Sequence, residues 1–189
     1  MDECIKPLLE RIDALLRKTI TVIVAIDGNS GAGKTSLANQ LQQIYPANVF
    51  HMDDFFLRPE QRTAARLQEI GGNVDYERFK VEVLDQIGKV ERFMYRKFDC
   101  HTGKLSAPIE VVAKPLNIVE GVYSMHPTLV NRYDVKVFLT VDKELQQQRI
   151  LMRNGPVMLQ RFIKEWIPLE NRYFQAYSIK ELSDFVFSI

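Results

Sequence analysis

Residues 28–35 read GNSGAGKT and fit the pattern G-x-x-x-x-G-K-T without a mismatch. Residues of these types at this spacing hold a chain of phosphates. Glycines at 28, 31 and 33 let the backbone turn tightly and approach a ligand with no Cβ in the way. The successive N–H groups of the loop, through Asn29, Ser30 and Ala32, then face one concavity that binds anionic oxygens. A helix opening at Lys34 and running on through Ser36 adds the positive end of its dipole. Lys34 reaches the β- and γ-phosphates of a nucleotide, and the Thr35 hydroxyl can ligate Mg²⁺. The competing reading is a chance Gly-rich turn, and the flanking sequence argues against it. ITVIVAI at 20–26 is the β-branched apolar run of a strand buried on both faces. KTSLANQLQQI at 34–44 places Leu37, Leu41 and Ile44 at helical spacing, and Pro46 ends it.

A phosphate loop specifies a nucleotide but not a reaction. Phosphoryl transfer also needs charge neutralisation, a metal and a group that positions the attacking oxygen. Asp53, at the end of a short apolar run at 48–52, is the candidate to accept a proton from a substrate hydroxyl. Asp54 beside it can orient Mg²⁺ through water or cap the next turn. Glu120 follows the apolar LNIV at 116–119 and suits a place near metal or substrate. Arg149 and Arg153 stand one helical turn apart, just before Asn154-Gly155-Pro156, with Arg161 beyond. Arginines next to such a break can close over phosphates and stabilise transition-state charge. The alternatives are loop-capping acids and a solvated helix face.

The elements that must position these groups alternate. A helix over 5–17 precedes the first strand at 20–26. Helix 34–44, strand 48–52, a polar loop over 58–72 and a helix over 76–87 come after it. A hairpin pairs 93–98 with 105–112 across a turn at 99–104. Strand 116–119, a short helix over 126–131 and strand 135–141 come next. Asp142 caps a helix running to 153, a helix over 158–177 is interrupted or kinked near Pro168, and the last strand is 184–188. This alternation predicts a three-layer α/β domain with a mainly parallel five-stranded sheet and a small β-hairpin excursion. Ligands bind such sheets at the carboxyl ends of the strands, so the loop, Asp53, Asp54 and Glu120 are expected on one rim.

The 189 residues suit one domain spanning 1–189, with an acceptor-side insertion near 55–112 and a short lid near 149–161. Hydrophobic content of 46% and charged content of 26% are those of an ordinary globular chain. A net charge of +1 gives no reason to expect nucleic acid or an anionic membrane as partner. Cys4 and Cys100 are too few for a disulfide framework or a cysteine zinc site. No apolar run approaches the roughly 18 residues of a membrane span, and the N-terminus lacks the apolar block of a signal peptide. The expected location is the cytoplasm, and the oligomeric state is left open, with a homo-oligomer allowed. His51 and His101 read as a strand and a turn residue rather than metal ligands. Phe55, Phe56, Phe162, Trp166, Tyr173 and Phe174 read as core or pocket wall rather than a stacking platform.

With these residues in place, the chain resembles the uridine kinase and phosphoribulokinase superfamily, which also holds nicotinamide riboside kinase and bacterial pantothenate kinase. GNSGAGKT, HMDDFF (51–56), NVDYERF (73–79), MYRKFD (94–99), IVEG (118–121) and QRILMR (148–153) carry the resemblance, in order, over 20–189. It implies a kinase that uses ATP and Mg²⁺ on a small-molecule acceptor with a hydroxyl group, uridine-like nucleosides first. It implies Asp53 as base, Asp75 on the acceptor's hydroxyls and Tyr95 against its aromatic part. Glu120 would serve near Mg²⁺ and substrate, with Arg149 and Arg153 as lid arginines. The stretch 153–160 is shorter and less Arg-rich than a uridine kinase lid. The hairpin departs from the nucleoside-base pattern, although His101 can still read a base. Nicotinamide riboside, pantothenate or another alcohol is the alternative acceptor. A nucleotide-dependent switch is the alternative outside catalysis, and the absence of an N-K-x-D motif speaks against a GTPase.

Overall fold

The computed structural model describes residues 2–189, with side chains described from Cys4 onward. In chain order the strands are β1 (Val22–Gly28), β2 (Ala47–His51), β3 (Arg92–Tyr95), β4 (Phe98–Asp99), β5 (Lys104–Leu105), β6 (Ile109–Val112), β7 (Leu116–Glu120), β8 (Val135–Thr140) and β9 (Phe185–Ser188). The α-helices are α1 (Asp2–Leu16), α2 (Lys34–Ile44), α3 (Ala64–Gln68), α4 (Tyr76–Phe79), α5 (Lys143–Arg161) and α6 (Ile167–Ala176). None of the described helices is long and apolar enough to cross a membrane.

Five strands form one parallel sheet in the order β2-β7-β1-β8-β9. β1 and β7 are buried at every residue, which is why both read as continuous apolar runs. The two-residue alternation of β1 supplies a core to each face. Val22, Val24 and Ile26 meet Leu8 and Ile12 of α1 and Leu37 and Leu41 of α2. Ile23 and Ala25 belong to the opposite core with Phe50, Phe55, Phe79, Val119 and Tyr173. The register pairs Ile26 with Glu120 and His51 with Glu120, so β1, β2 and β7 end together at one rim.

The expected hairpin is two ribbons. β3 pairs with β6 and β4 with β5, all antiparallel, because Arg96 and Lys97 interrupt the first arm. The helix expected over 76–87 is one α-turn continued by the π-helical turn Lys80–Leu84. The short helix expected at 126–131 reduces to turns and the 3₁₀ turn Val130–Arg132. Asp142 caps α5 as expected, accepting from the N–H groups of Glu144 at 2.9 Å and Leu145 at 3.3 Å. The break expected at 154–156 lies inside α5, where Gly155 takes φ 79°, ψ 173° and turns the chain sharply. The helix after it passes through a π-helical turn, Phe162–Trp166, into α6. Pro168 sits in the first turn of α6, where its missing N–H costs no hydrogen bond, so the expected break near it is the start of a helix rather than a kink within one.

Candidate active site

The phosphate loop joins β1 to α2. Gly28, Gly31 and Gly33 have φ of 133°, 77° and 90°, a region that favours glycine. At Gly28 space is also decisive, because a Cβ there would lie 2.0 Å from the Leu139 carbonyl oxygen of β8. The buried Lys34 donates from Nζ to the carbonyls of Gly28 at 2.8 Å and Asn29 at 3.0 Å. Asp27, the last side chain before the loop, is fully buried. It accepts from Gly28 N–H at 2.7 Å, Met125 N–H at 3.0 Å and the Tyr173 hydroxyl at 2.9 Å. Burial raises its carboxyl pKa despite these donors and Lys34.

α5 and α6 hold the loop from its other side. Gln146 Nε2 donates to the Ser30 carbonyl at 2.9 Å, and Arg149 Nη1 donates to the Gly31 carbonyl at 3.0 Å. Glu170 accepts from the Ser30 N–H at 3.1 Å and the Ser30 hydroxyl at 2.5 Å.

A cleft of about 630 Å³ opens over the loop, with Lys34, Thr35, Asp53, Glu120, Arg149 and Arg153 in its walls. Its apolar part is lined by Ile5, Leu37, Phe187 and Ile189. The Thr35 hydroxyl donates to Glu120 Oε1 at 3.0 Å, and His51 Nδ1 meets the same oxygen at 2.5 Å. That contact raises the His51 pKa, opposed by burial. Thr35 and Glu120 are hard oxygen donors whose chemistry fits Mg²⁺. No group of three or more His, Cys, Asp or Glu side chains able to hold a metal occurs among the described residues.

Asp53 lies in the 3₁₀ turn Met52–Phe55 that ends β2. Water reaches its carboxylate through the open cleft, yet protein encloses it on most sides, and that enclosure raises its pKa. Lys34 and Arg153 oppose the rise, while Glu120 and Asp54 add to it. Among the described residues no protein donor hydrogen-bonds Asp53, whereas Asp27, Glu120 and Glu170 are all engaged.

Four expected site residues outside the phosphate loop do not line the cleft. Asp54 pairs with Lys97 Nζ at 2.9 Å and is not among the residues of the cleft wall. Asp75 is buried and caps α4, accepting from Arg78 N–H at 3.0 Å and Gln61 Nε2 at 2.8 Å. Tyr95 is buried among aromatic rings, 5.8 Å from both Phe50 and Phe55. His101 is exposed in the β4–β5 turn, where its N–H bonds Asp99 at 2.8 Å.

Asp27, His51, Gln146 and Glu170 are the participants that residue spacing does not disclose. His51 had a signal in the strand alignment, because parallel register sets it beside Glu120. Glu170 had none, since one acid in a mixed helix reads as a solvated face.

A parallel sheet with this loop at its first strand, and a carboxylate and arginines on the same rim, defines a P-loop kinase. Residues 23–156 match the model of the Phosphoribulokinase / Uridine kinase family, and the chain belongs to that family. A uridine kinase of Oceanobacillus iheyensis is 26% identical over 149 residues, covering 74% of this chain and 70% of that protein. A possible uridine kinase from Bacillus stearothermophilus superposes with a TM-score of 0.69 at 24% identity, covering 96% of this chain and 99% of the other. D-glycerate 3-kinase from Cryptococcus neoformans shares the fold with a TM-score of 0.62 at 13% identity, covering 96% and 92%.

Proposed function

We propose that the chain is an ATP-dependent phosphotransferase that moves the γ-phosphoryl group to the hydroxyl of a small molecule, with a nucleoside such as uridine as the first acceptor class. The proposal treats 1–189 as one kinase domain. The observation that carries it is Asp53, a carboxylate in the loop's own cleft to which no protein donor is bonded among the described residues. A carboxylate left free beside a phosphate site is available to a substrate hydroxyl. Its raised pKa brings it closer to the working range of a base.

Asp53 orients the acceptor hydroxyl and takes its proton as the acceptor oxygen bonds to the γ-phosphorus and the bond to the β-phosphate oxygen breaks. Lys34 and the loop N–H groups hold the phosphates. Arg149 and Arg153, on the cleft wall, face the charge that develops. Thr35 and Glu120 would hold Mg²⁺, which when bound neutralises phosphate charge. The relatives named as uridine kinases support the nucleoside class. Nicotinamide riboside and pantothenate stay in the test because Asp75 and Tyr95 are committed to internal contacts.

The test is ADP release from MgATP with uridine, cytidine, nicotinamide riboside and pantothenate. One of them should stimulate release. Asp53→Asn should lower that rate by roughly 10²–10⁴-fold while MgATP still binds. An Asp53→Asn protein transferring at the wild-type rate would remove Asp53 as the base. Tight MgATP binding with no acceptor-stimulated release across a broader alcohol panel would favour the switch.

A further inference from the structure

The two buried residues of α6, Glu170 and Tyr173, both spend their polar atoms on the phosphate loop. They stand three positions apart, on one helix face. Tyr173 donates to Asp27 at 2.9 Å, at the loop's entry, and Glu170 takes both the N–H and the hydroxyl of Ser30, at 3.1 Å and 2.5 Å. The next peptide groups are held from α5, Ser30 O by Gln146 at 2.9 Å and Gly31 O by Arg149 at 3.0 Å. A carboxylate buried beside a polyphosphate site repels the ligand, so charge alone gives no reason for it to be there. Its two hydrogen bonds to Ser30 do give one.

We infer that Glu170 is a positioning residue for nucleotide binding: it fixes the Ser30–Gly31 segment in the shape that presents the loop's N–H groups to phosphate, and it ties that segment to α6, as Gln146 and Arg149 tie it to α5. The inference rests on reading the loop as the phosphate site. Glu170 itself touches no phosphate. Its effect on affinity runs through Ser30, and it acts against the sign of its own charge.

The experiment is calorimetric titration of full-length protein with MgATP, beside thermal melts, for wild type, Glu170→Ala, Glu170→Asp and Glu170→Gln. Alanine removes both hydrogen bonds. Aspartate keeps the charge and falls one methylene short of Ser30. Glutamine loses the charge but can accept from the Ser30 N–H and donate to its hydroxyl. The expected result is affinity weakened about tenfold or more for Ala and Asp, the scale of lost hydrogen bonds to a charged group, with Gln at or above the wild-type value. Aspartate binding within twofold of wild type overturns the inference, even if Glu170→Ala does not fold. Glutamine as weak as alanine overturns it too, and so does a lowered melting temperature with unchanged affinity. A wild-type protein that fails to bind MgATP overturns the underlying phosphate-site reading and the inference with it.

Discussion

His126 should make this protein acid-sensitive in a way that one substitution removes. Its side chain is buried 3.8 Å from the Tyr76 ring, between the segment after β7 and the insertion that carries α4. Nδ1 accepts from the Thr128 N–H at 3.2 Å, and among the described residues no well-formed hydrogen bond reaches Nε2. In the neutral ring Nε2 therefore carries the proton, and a second one must go on Nδ1, where it displaces the Thr128 donor. Burial lowers its pKa from 6.5 to about 4. Between those values the unfolded chain binds a proton that the folded chain refuses. The stability present above pH 6.5 is therefore lost as pH falls, down to about 4. At pH 5 the two proton affinities differ in effect by roughly thirtyfold, or about 2 kcal/mol. Asp27 and Glu170 have raised values and contribute with the opposite sign, so the wild-type slope alone does not isolate the histidine. His126→Asn does, because its amide oxygen can still accept from Thr128 and it does not titrate. Urea unfolding at pH 7.5 and pH 5 should show the wild type losing about 2 kcal/mol more than the variant. Equal losses in the two proteins would refute the assignment.

The two arginines of α5 should separate in kinetics. Arg149→Ala loses the bond to Gly31 O and should weaken MgATP binding about tenfold. Arg153→Ala, whose Nε bonds only neighbouring Asn154, should leave affinity within threefold while the turnover rate falls roughly 10²-fold or more. Titration with MgATP and steady-state rates read the two effects. Gly155→Ala meets nothing within 4 Å, so its cost is that of placing a Cβ at φ 79°, ψ 173°, a region kept almost wholly to glycine, roughly 1–3 kcal/mol in a urea melt.

The donor half of the site was legible in sequence because its physics is local. Tight turns need glycine at fixed offsets, and strands buried on both faces need uninterrupted apolar runs. GNSGAGKT between ITVIVAI and a helical pattern meets both demands. Asp53 and Glu120 were legible by extension, since strand ends converge on one rim. What escaped depends on contacts between segments far apart in sequence. Ser30 and Glu170 are separated by 140 positions, and nothing near either residue announces the pair. Asp27 stands between the apolar run and the glycine loop, where an acid reads as a loop residue rather than as the anchor of three donors. Between α4 and its π-helical continuation the 3.6-residue pattern persists, so periodicity reports the buried face of Phe79, Val83 and Leu84 but not the change in hydrogen bonding.

The acceptor half was less legible because family motifs carry residue types without their partners. NVDYERF supplies Asp75, but the same segment supplies Arg78, and the loop before it supplies Gln61. Together they occupy Asp75 from two sides, with Arg78 Nε a further 3.5 Å neighbour. An acceptor that reaches Asp75 must displace the Gln61 amide, which exchanges one hydrogen bond for another and yields little net affinity. Tyr95 is constrained in the same way. Its ring already stacks on Phe55, and Phe55 meets Phe79 edge-on at 4.9 Å, so a base stacking there would have to open the core beneath the cleft. Asp53 carries neither restriction. It stands at the strand end, in the cleft, with its hydrogen-bonding capacity unspent on the protein. If Asp53 binds the acceptor hydroxyl as proposed, that hydroxyl is the fixed point of recognition, and the rest of the acceptor must fit around residues already committed to holding the fold.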